Sequence, residues 1–177
     1  MRYLNRGGIY ARVCDATWRN CGDTGPSKLF GGRWNAPGAF GVLYLCADRA
    51  VAAANARWAY ERDGRFTLFD RRPDRRPYLQ EFAVRKSRFV DAVTAPGLAA
   101  LDLPASYPIG VSRAKCRAIG TSAYAEGAHG IGCRSAAEAT REHIAGEELA
   151  LFDIAGSLAT PGRRIPFRRW YPLPHLR

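Results

Sequence analysis

The alternation of apolar and polar residues along the chain predicts a mixed order of strands and helices. Residues 8–14, GIYARVC, alternate as a half-buried strand does, whereas residues 41–47, GVLYLCA, form the continuous apolar run of a buried strand. A loop rich in glycine and proline, with the motif GGRWNAPG, lies between them. The segment from Asp48 to Gly64 begins with a residue that favours helix N-caps and continues through alanines. It therefore predicts the clearest helix of the chain.

The second half continues the mixed order without repeating the sequence of the first. Its patterns predict strands at 78–92 and 130–135, a short helix or turns between the prolines of 95–108, a helix over 112–130, and a buried apolar run at 148–155. The tail that follows, RRIPFRRWYPLPHLR, contains too many prolines for a central strand.

The size and composition of the chain are those of a globular domain. The 177 residues fit one domain, and 47% of them are hydrophobic, which is ample for a packed core. No apolar run approaches the roughly 18 residues that a membrane helix needs. The N-terminal residues also lack the apolar core of a signal peptide. We therefore expect a cytoplasmic protein without a membrane segment.

The net charge of +11 indicates attraction to anions. The arginine clusters RRPDRR and RRIPFRRW contain prolines, and the chain has no helix-turn-helix, RNP or OB pattern. Charge alone therefore supports nonspecific attraction to nucleic acid, and we do not expect a specific nucleic-acid complex.

Cysteine and histidine spacing favours neither a disulfide framework nor a metal site. The five cysteines are widely separated with no C-x-x-C pair, and the three histidines are scattered. We expect no bound metal and no disulfide framework.

Residues 31–35, GGRWN, are the first candidate for chemistry. Glycines allow close backbone approach to a ligand, and an arginine offers a planar fork of donors suited to phosphate or carboxylate. From these residues alone, a tight turn with a solvated charge and the rim of an anion site both remain open.

The wider pattern resembles a known family, the RES domain. The early Tyr-x-Arg strand, GGRWNAPG joined to VLYL, the alanine-rich helix, and GIGCRS before LALFD carry the resemblance, which spans residues 8–155. The family includes toxins of bacterial RES–Xre toxin–antitoxin systems that degrade NAD. The resemblance implies a single domain over 1–177 that ends in an arginine- and proline-rich tail, 161–177. It also implies an ADP-ribosyltransferase-like α/β fold, with two small, largely antiparallel sheets around a cleft and flanking helices.

The resemblance also assigns residues to NAD binding. Arg12 and Arg33 fall where the family grips the pyrophosphate, and bidentate guanidinium groups suit two phosphates. The resemblance places Tyr44 against the nicotinamide half of NAD and gives it both a catalytic and a binding role. Trp34 and Asn35 belong to the same nucleotide-binding loop, although as residue types they are equally suited to packing and turns.

The reacting end of the site combines one match with one departure. Ser135 falls on the family serine, but Asn55 stands where the family has its glutamate. An amide can bond a ribose hydroxyl but brings no negative charge to the cation that forms as nicotinamide leaves. We therefore expect slow turnover that Asn55→Glu would raise. Glu61 lies about 120° away around the same helix and is a poor substitute.

Three classes of function remain open from the sequence. The first is an enzyme that cleaves the nicotinamide–ribose bond of NAD by phosphorolysis or hydrolysis, which we favour. The second is a mono-ADP-ribosyltransferase, and the third is a noncatalytic nucleotide- or partner-binding module. The resemblance also implies a cognate Xre-type antitoxin. The sequence leaves the oligomeric state open, homo-oligomers included.

Overall fold

The computed structural model of the protein describes residues 1–61, 64–137, 139 and 146–172, without the side chains of 155–157. Its strands and α-helices, in chain order, are β1 (Tyr3–Cys14), α1 (Gly25–Phe30), β2 (Val42–Cys46), α2 (Arg49–Tyr60), β3 (Tyr78–Ala92), α3 (Ala95–Ala100), α4 (Arg113–Ala125), β4 (Gly130–Arg134), β5 (Glu147–Phe152), β6 (Ala159–Ile165) and α5 (Phe167–Trp170). Short 3₁₀ turns occupy Pro73–Arg75 and Asp153–Leu158.

The strands form one mixed sheet in the order β1-β2-β5-β4-β3-β6. β1 also pairs with β3, so the first five strands close into a ring and β6 extends from it along β3. All these pairs are antiparallel except β3–β4. The mixed α/β fold, its mostly antiparallel pairing and its flanking helices are confirmed.

The strands do not separate into two sheets as the resemblance implies, because two of them are long. β3 has 15 residues, and it pairs through its first half with β6 and through its last residues with β4. β1, with 12 residues, follows β3 along its whole length. The β3–β6 and β3–β4 ladders are thus joined into one sheet, because β3 and its partner β1 run continuously past both. The β1–β3 register shifts between Arg6 and Gly8, where Gly8 has a φ of 118° that favours glycine at a bulge.

The predicted elements lie close to where the patterns put them. The strand expected at 78–92 has those bounds, and those expected at 8–14 and 41–47 correspond to β1, which begins five residues earlier, and β2. The predicted long helix is α2, which ends at Tyr60, short of Gly64. The proline-containing tail contributes β6 at the free edge of the sheet, where Pro161 is tolerated. Residues 173–177 of the predicted tail lie outside the described part.

Three hydrophobic clusters hold the fold together. One packs α3 and α4 against the sheet, a second draws mostly on residues of the strands, and a third lies beneath α2 and α5. Their largest fully buried members include Trp34, Tyr107, Phe82, Phe89, Phe152, Leu79 and Leu149.

The described residues settle two further points about the chain. None of the helices among them is long and apolar enough to cross a membrane. Cys14 and Cys21 form a disulfide, because the loop after β1 turns back on the strand end, and the sequence spacing did not indicate this bond. Cys46, Cys116 and Cys133 are free and buried.

Candidate active site

A cavity of about 570 Å³ opens where β1 and β2 diverge. These two strands pair at a single position, Ala11 with Cys46, so the space beyond it is not closed by a ladder. α2 forms one wall of the cavity and the GGRWN loop forms another. Among the described residues that line it are Arg12, Arg33, Tyr44, Asn55, Glu148, Arg113, Trp18, Trp58 and Tyr60.

The wall formed by α2 is set by the sequence of that helix. Asp48 caps its N-terminus, since the carboxylate accepts a hydrogen bond from the backbone N–H of Val51 at 2.9 Å. Three alanines of the helix are buried in the hydrophobic cluster that α2 shares with β1 and β2. Such small side chains allow the helix axis to approach the strands closely, so that the partly buried Asn55 reaches the end of β2.

Arg12 projects into the cavity from β1, and two backbone carbonyl groups hold its guanidinium. Its Nη1 donates to the carbonyl oxygens of Cys21, at 2.8 Å, and Asp23, at 3.4 Å. The guanidinium also lies over the Trp18 ring, 5.3 Å from its centroid. Burial lowers the pKa of Arg12, although the nearby Asp23 opposes this shift. A guanidinium remains charged at neutral pH even so.

Arg33 enters the cavity from the GGRWN loop. Burial on its own would lower its pKa, but surrounding phenol, thiol and carboxyl groups, among them Glu148, outweigh burial and raise it. The structure therefore places two charged guanidinium groups, Arg12 and Arg33, in one cavity.

Tyr44 fastens this loop to β2. Its hydroxyl accepts a hydrogen bond from the backbone N–H of Trp34 at 3.1 Å and donates to Oδ1 of Asn35 at 3.3 Å. Gly32 packs so closely on the Tyr44 hydroxyl that a Cβ there would clash with it. Burial raises the pKa of Tyr44, which keeps the phenol neutral.

The Trp34 and Asn35 side chains lie behind the cavity wall and are fully buried. The Trp34 indole nitrogen donates to Sγ of Cys133 at 3.4 Å. The Asn35 amide donates to the carbonyl oxygens of Ser27 and Phe40 at 2.7 and 2.8 Å. These contacts thus fix the conformation of the loop that carries Arg33. Neither Trp34 nor Asn35 is among the described residues that line the cavity.

Asn55 and Ser135 meet at a carboxylate that sequence reasoning missed. Nδ2 of Asn55 and Oγ of Ser135 both donate to Oε1 of Glu148, each at 2.7 Å. Ser135 is fully buried behind this carboxylate, whereas Asn55 and Glu148 line the cavity. The two residues predicted for the reacting end are therefore brought together, with Glu148 between them.

The register of the sheet explains why Glu148 faces the cavity. It is paired with Cys46 on β2 and with Cys133 on β4, and paired residues share a face of the sheet. The preceding residue, Glu147, points to the opposite face, where both its oxygens bond the guanidinium of Arg6. The sequence shows two adjacent glutamates at the start of a buried apolar run. Which of the two side chains faces the cavity depends on how the strand pairs with its neighbours.

Three further lining residues were also missed. Trp18 and Trp58 are large and partly exposed at the cavity, with 42% and 53% of their surfaces accessible. Arg113, the first residue of α4, also lines the cavity. The spacing of Trp58 three residues after Asn55 places both on one face of α2, a signal present in the sequence. Glu61 lies elsewhere, and its carboxylate accepts hydrogen bonds from the backbone N–H of Leu68 and the Tyr171 hydroxyl at 2.7 and 2.9 Å.

Among the described residues, the cavity thus combines the guanidinium groups of Arg12, Arg33 and Arg113, partly exposed aromatic rings and one hydrogen-bonded carboxylate, on a mixed sheet with flanking helices. Guanidinium groups are suited to bidentate binding of phosphate or carboxylate, and a concave site with a few polar groups is the usual form of a ligand site. The RES domain model matches residues 9–170, and the chain belongs to the RES domain family. No curated protein sequence matches the chain.

A solved structure shares the fold. The crystal structure of the M. tuberculosis MbcT–MbcA toxin–antitoxin complex contains a chain that superposes with a TM-score of 0.75 at 17% sequence identity. The match covers 92% of this chain and 85% of that chain. The likeness therefore extends across almost the whole domain and concerns its architecture.

Proposed function

We propose that this protein binds NAD in the described cavity and cleaves its nicotinamide–ribose bond. One observation carries the proposal: the charged Arg12 and Arg33 and the carboxylate of Glu148 line the same cavity in a chain of the RES family. A cavity of about 570 Å³ lies within the range that cofactor-sized ligands occupy.

The arginines suit the diphosphate of NAD. Each guanidinium can donate two parallel hydrogen bonds to phosphate oxygens, and partial burial strengthens them. Arg12 already has part of its donor set engaged by backbone carbonyls, which restricts its rotation and holds the remaining donors ready. Binding energy at the diphosphate would position the nicotinamide ribose at the other end of the cavity.

The exposed rings at the cavity suit the flat ends of the ligand. Trp18 lies beside Arg12 and Trp58 lies on α2, so each can stack on an adenine or a nicotinamide ring. Tyr44, whose hydroxyl is engaged with the loop, would contribute its ring face and the position of Arg33.

The toxin role and the antitoxin partner are part of this proposal. The RES family includes NAD-degrading toxins, and the structurally similar chain comes from a toxin–antitoxin complex. Loss of NAD would stop growth of the cell that makes the protein. We therefore propose that the partner is an antitoxin that restricts access to the cavity.

The test is incubation of the purified protein with NAD, with and without inorganic phosphate, followed by chromatography and mass spectrometry. The proposal expects free nicotinamide together with ADP-ribose or its 1″-phosphate. ADP-ribose attached to a protein would instead identify a mono-ADP-ribosyltransferase. Intact NAD with a stoichiometric amount of folded protein would refute the proposed activity.

A further inference from the structure

We infer that Glu148 is the catalytic carboxylate of this site, with Asn55 and Ser135 as the residues that position it. The inference rests on the proposed function and adds to it the residue that supplies negative charge. The carboxylate reaches the cavity from β5, whereas the family glutamate would have come from the position of Asn55 on α2.

Glu148 is placed for this role by location. Among the described residues that line the cavity it is the only aspartate or glutamate. Its neighbour Glu147 faces away and is paired with Arg6, and Glu61 is engaged by Leu68 and Tyr171. Of the carboxylates in the described ranges, Glu148 is therefore the one that a ligand in this cavity would meet.

The hydrogen bonds to Glu148 fix one oxygen and leave the other available. Oε1 accepts from both Asn55 and Ser135 at 2.7 Å, and Oε2 accepts no hydrogen bond from the described part of the chain. Two donors on one oxygen hold the carboxylate in a single orientation, as a group that bonds ribose hydroxyls must be held.

Glu148 is close enough to Arg33 to raise the pKa of that guanidinium, but it is not held in an ion pair within the described residues. Its neighbours on the adjacent strands are the buried thiols of Cys46 and Cys133. Burial is the main cause that raises the pKa of both thiols, and the Glu148 carboxylate is the next largest cause. Both thiols therefore stay neutral and add no negative charge beside Glu148.

That charge matches the charge that develops in the reaction. When the bond between C1′ of the ribose and the nicotinamide nitrogen breaks, its electron pair leaves with the neutral nicotinamide. Positive charge then spreads over C1′ and the ring oxygen of the ribose. Glu148 stabilises this cation electrostatically and forms no bond to it. A phosphate oxygen or a water molecule adds to C1′, and an attacking water gives its proton to solvent.

The test compares wild type with Glu148→Gln and with the matched control Glu147→Gln. The control alters the adjacent residue on the opposite face of β5, so it reproduces the loss of one charge from the strand. Each protein is assayed for nicotinamide release and, by calorimetry, for NAD affinity, with melting temperature as the check on folding. We expect Glu148→Gln to lower kcat about 100- to 1000-fold, the usual effect of removing one electrostatic stabiliser, with affinity nearly unchanged. Glu147→Gln should keep the wild-type kcat.

The outcomes separate the two proposals. A folded Glu148→Gln protein that keeps the wild-type kcat overturns the role of Glu148 and leaves NAD cleavage standing. Wild-type protein that binds NAD without releasing nicotinamide refutes the proposed cleavage and with it the role of Glu148. Wild-type protein that neither binds nor cleaves NAD refutes the cavity as an NAD site as well.

The positioning role of Ser135 has its own readout. Ser135→Ala should lower kcat about 10-fold and leave KM unchanged, because the serine contacts the carboxylate and not the ligand. Ser135→Thr, which keeps a hydroxyl donor, should recover part of the loss. A rise in KM with unchanged kcat in Ser135→Ala would contradict positioning through Glu148.

Discussion

Nδ2 of Asn55 lies 2.7 Å from Oε1 of Glu148, a contact that joins the middle of α2 to the start of β5 in the lining of the cavity. An amide suits this place because it donates to the carboxylate. A glutamate at position 55 would bring a second negative charge to the same spot, and two such charges about 4 Å apart repel by a few kcal/mol near a protein surface. The asparagine and the inward glutamate are therefore complementary.

This relationship reverses the expectation for Asn55→Glu. From the sequence alone, restoring a carboxylate on α2 should raise turnover. With Glu148 already present, Asn55→Glu removes its donor and adds repulsion, so we predict that kcat falls at least 10-fold. The rate of nicotinamide release by the folded variant measures this.

The double variant Asn55→Glu/Glu148→Gln moves the charge to the other side of the contact. It restores one carboxylate and one amide at hydrogen-bond distance, so we predict a kcat well above that of either single variant. A double variant no more active than the worse single variant would show that the two positions are not exchangeable. The double-mutant cycle of kcat values measures this coupling.

Arg33 should contribute to ligand binding more than to folding. Arg33→Ala is predicted to weaken NAD binding by about 1.5 to 3 kcal/mol, the usual value for hydrogen bonds to a charged group. Arg33→Lys should recover only part, since a single ammonium cannot reproduce two parallel donors. Calorimetry with NAD checks both variants, and an unchanged affinity in folded Arg33→Ala would remove Arg33 from the site.

Tyr44 should act on the site through the GGRWN loop. Tyr44→Phe keeps the ring but loses the bonds to the Trp34 N–H and to Asn35, so we predict about 1 to 3 kcal/mol less stability. NAD affinity should fall with it because Arg33 is carried by this loop. Urea unfolding and calorimetry give the two values. Unchanged stability with reduced affinity would instead assign the hydroxyl a direct contact with the ligand.

Much of the fold could be predicted from local patterns. The Asp48 cap and the alanines of α2 favour a helix through short-range interactions. The alternation of apolar and polar residues over 78–92 favours a strand, whichever strands it pairs with. The closing of the sheet could not be predicted in this way. It depends on β1 following all of β3, a pairing between residues far apart in the chain that leaves no periodic signal in either strand.

The residues of the site likewise divide into those that local motifs predict and those that depend on strand pairing. Arg12, Arg33, Tyr44 and Asn55 line the cavity as motif residues, and Ser135 is one contact behind it. The catalytic roles of these residues stay predictions. Glu148 escaped prediction because its direction depends on its register against Cys46 and Cys133, and nothing local distinguishes it from Glu147.

The central claim, that this cavity is the NAD site, is tested most directly by a crystal structure of the wild-type protein with carba-NAD. This analogue has a carbocycle in place of the nicotinamide ribose and resists cleavage of that bond. We predict density in the cavity, with the diphosphate at hydrogen-bond distance from Arg12 and Arg33 and the hydroxyls of the carbocycle facing Glu148. An empty cavity at saturating analogue, or the analogue bound at another surface, would contradict the account.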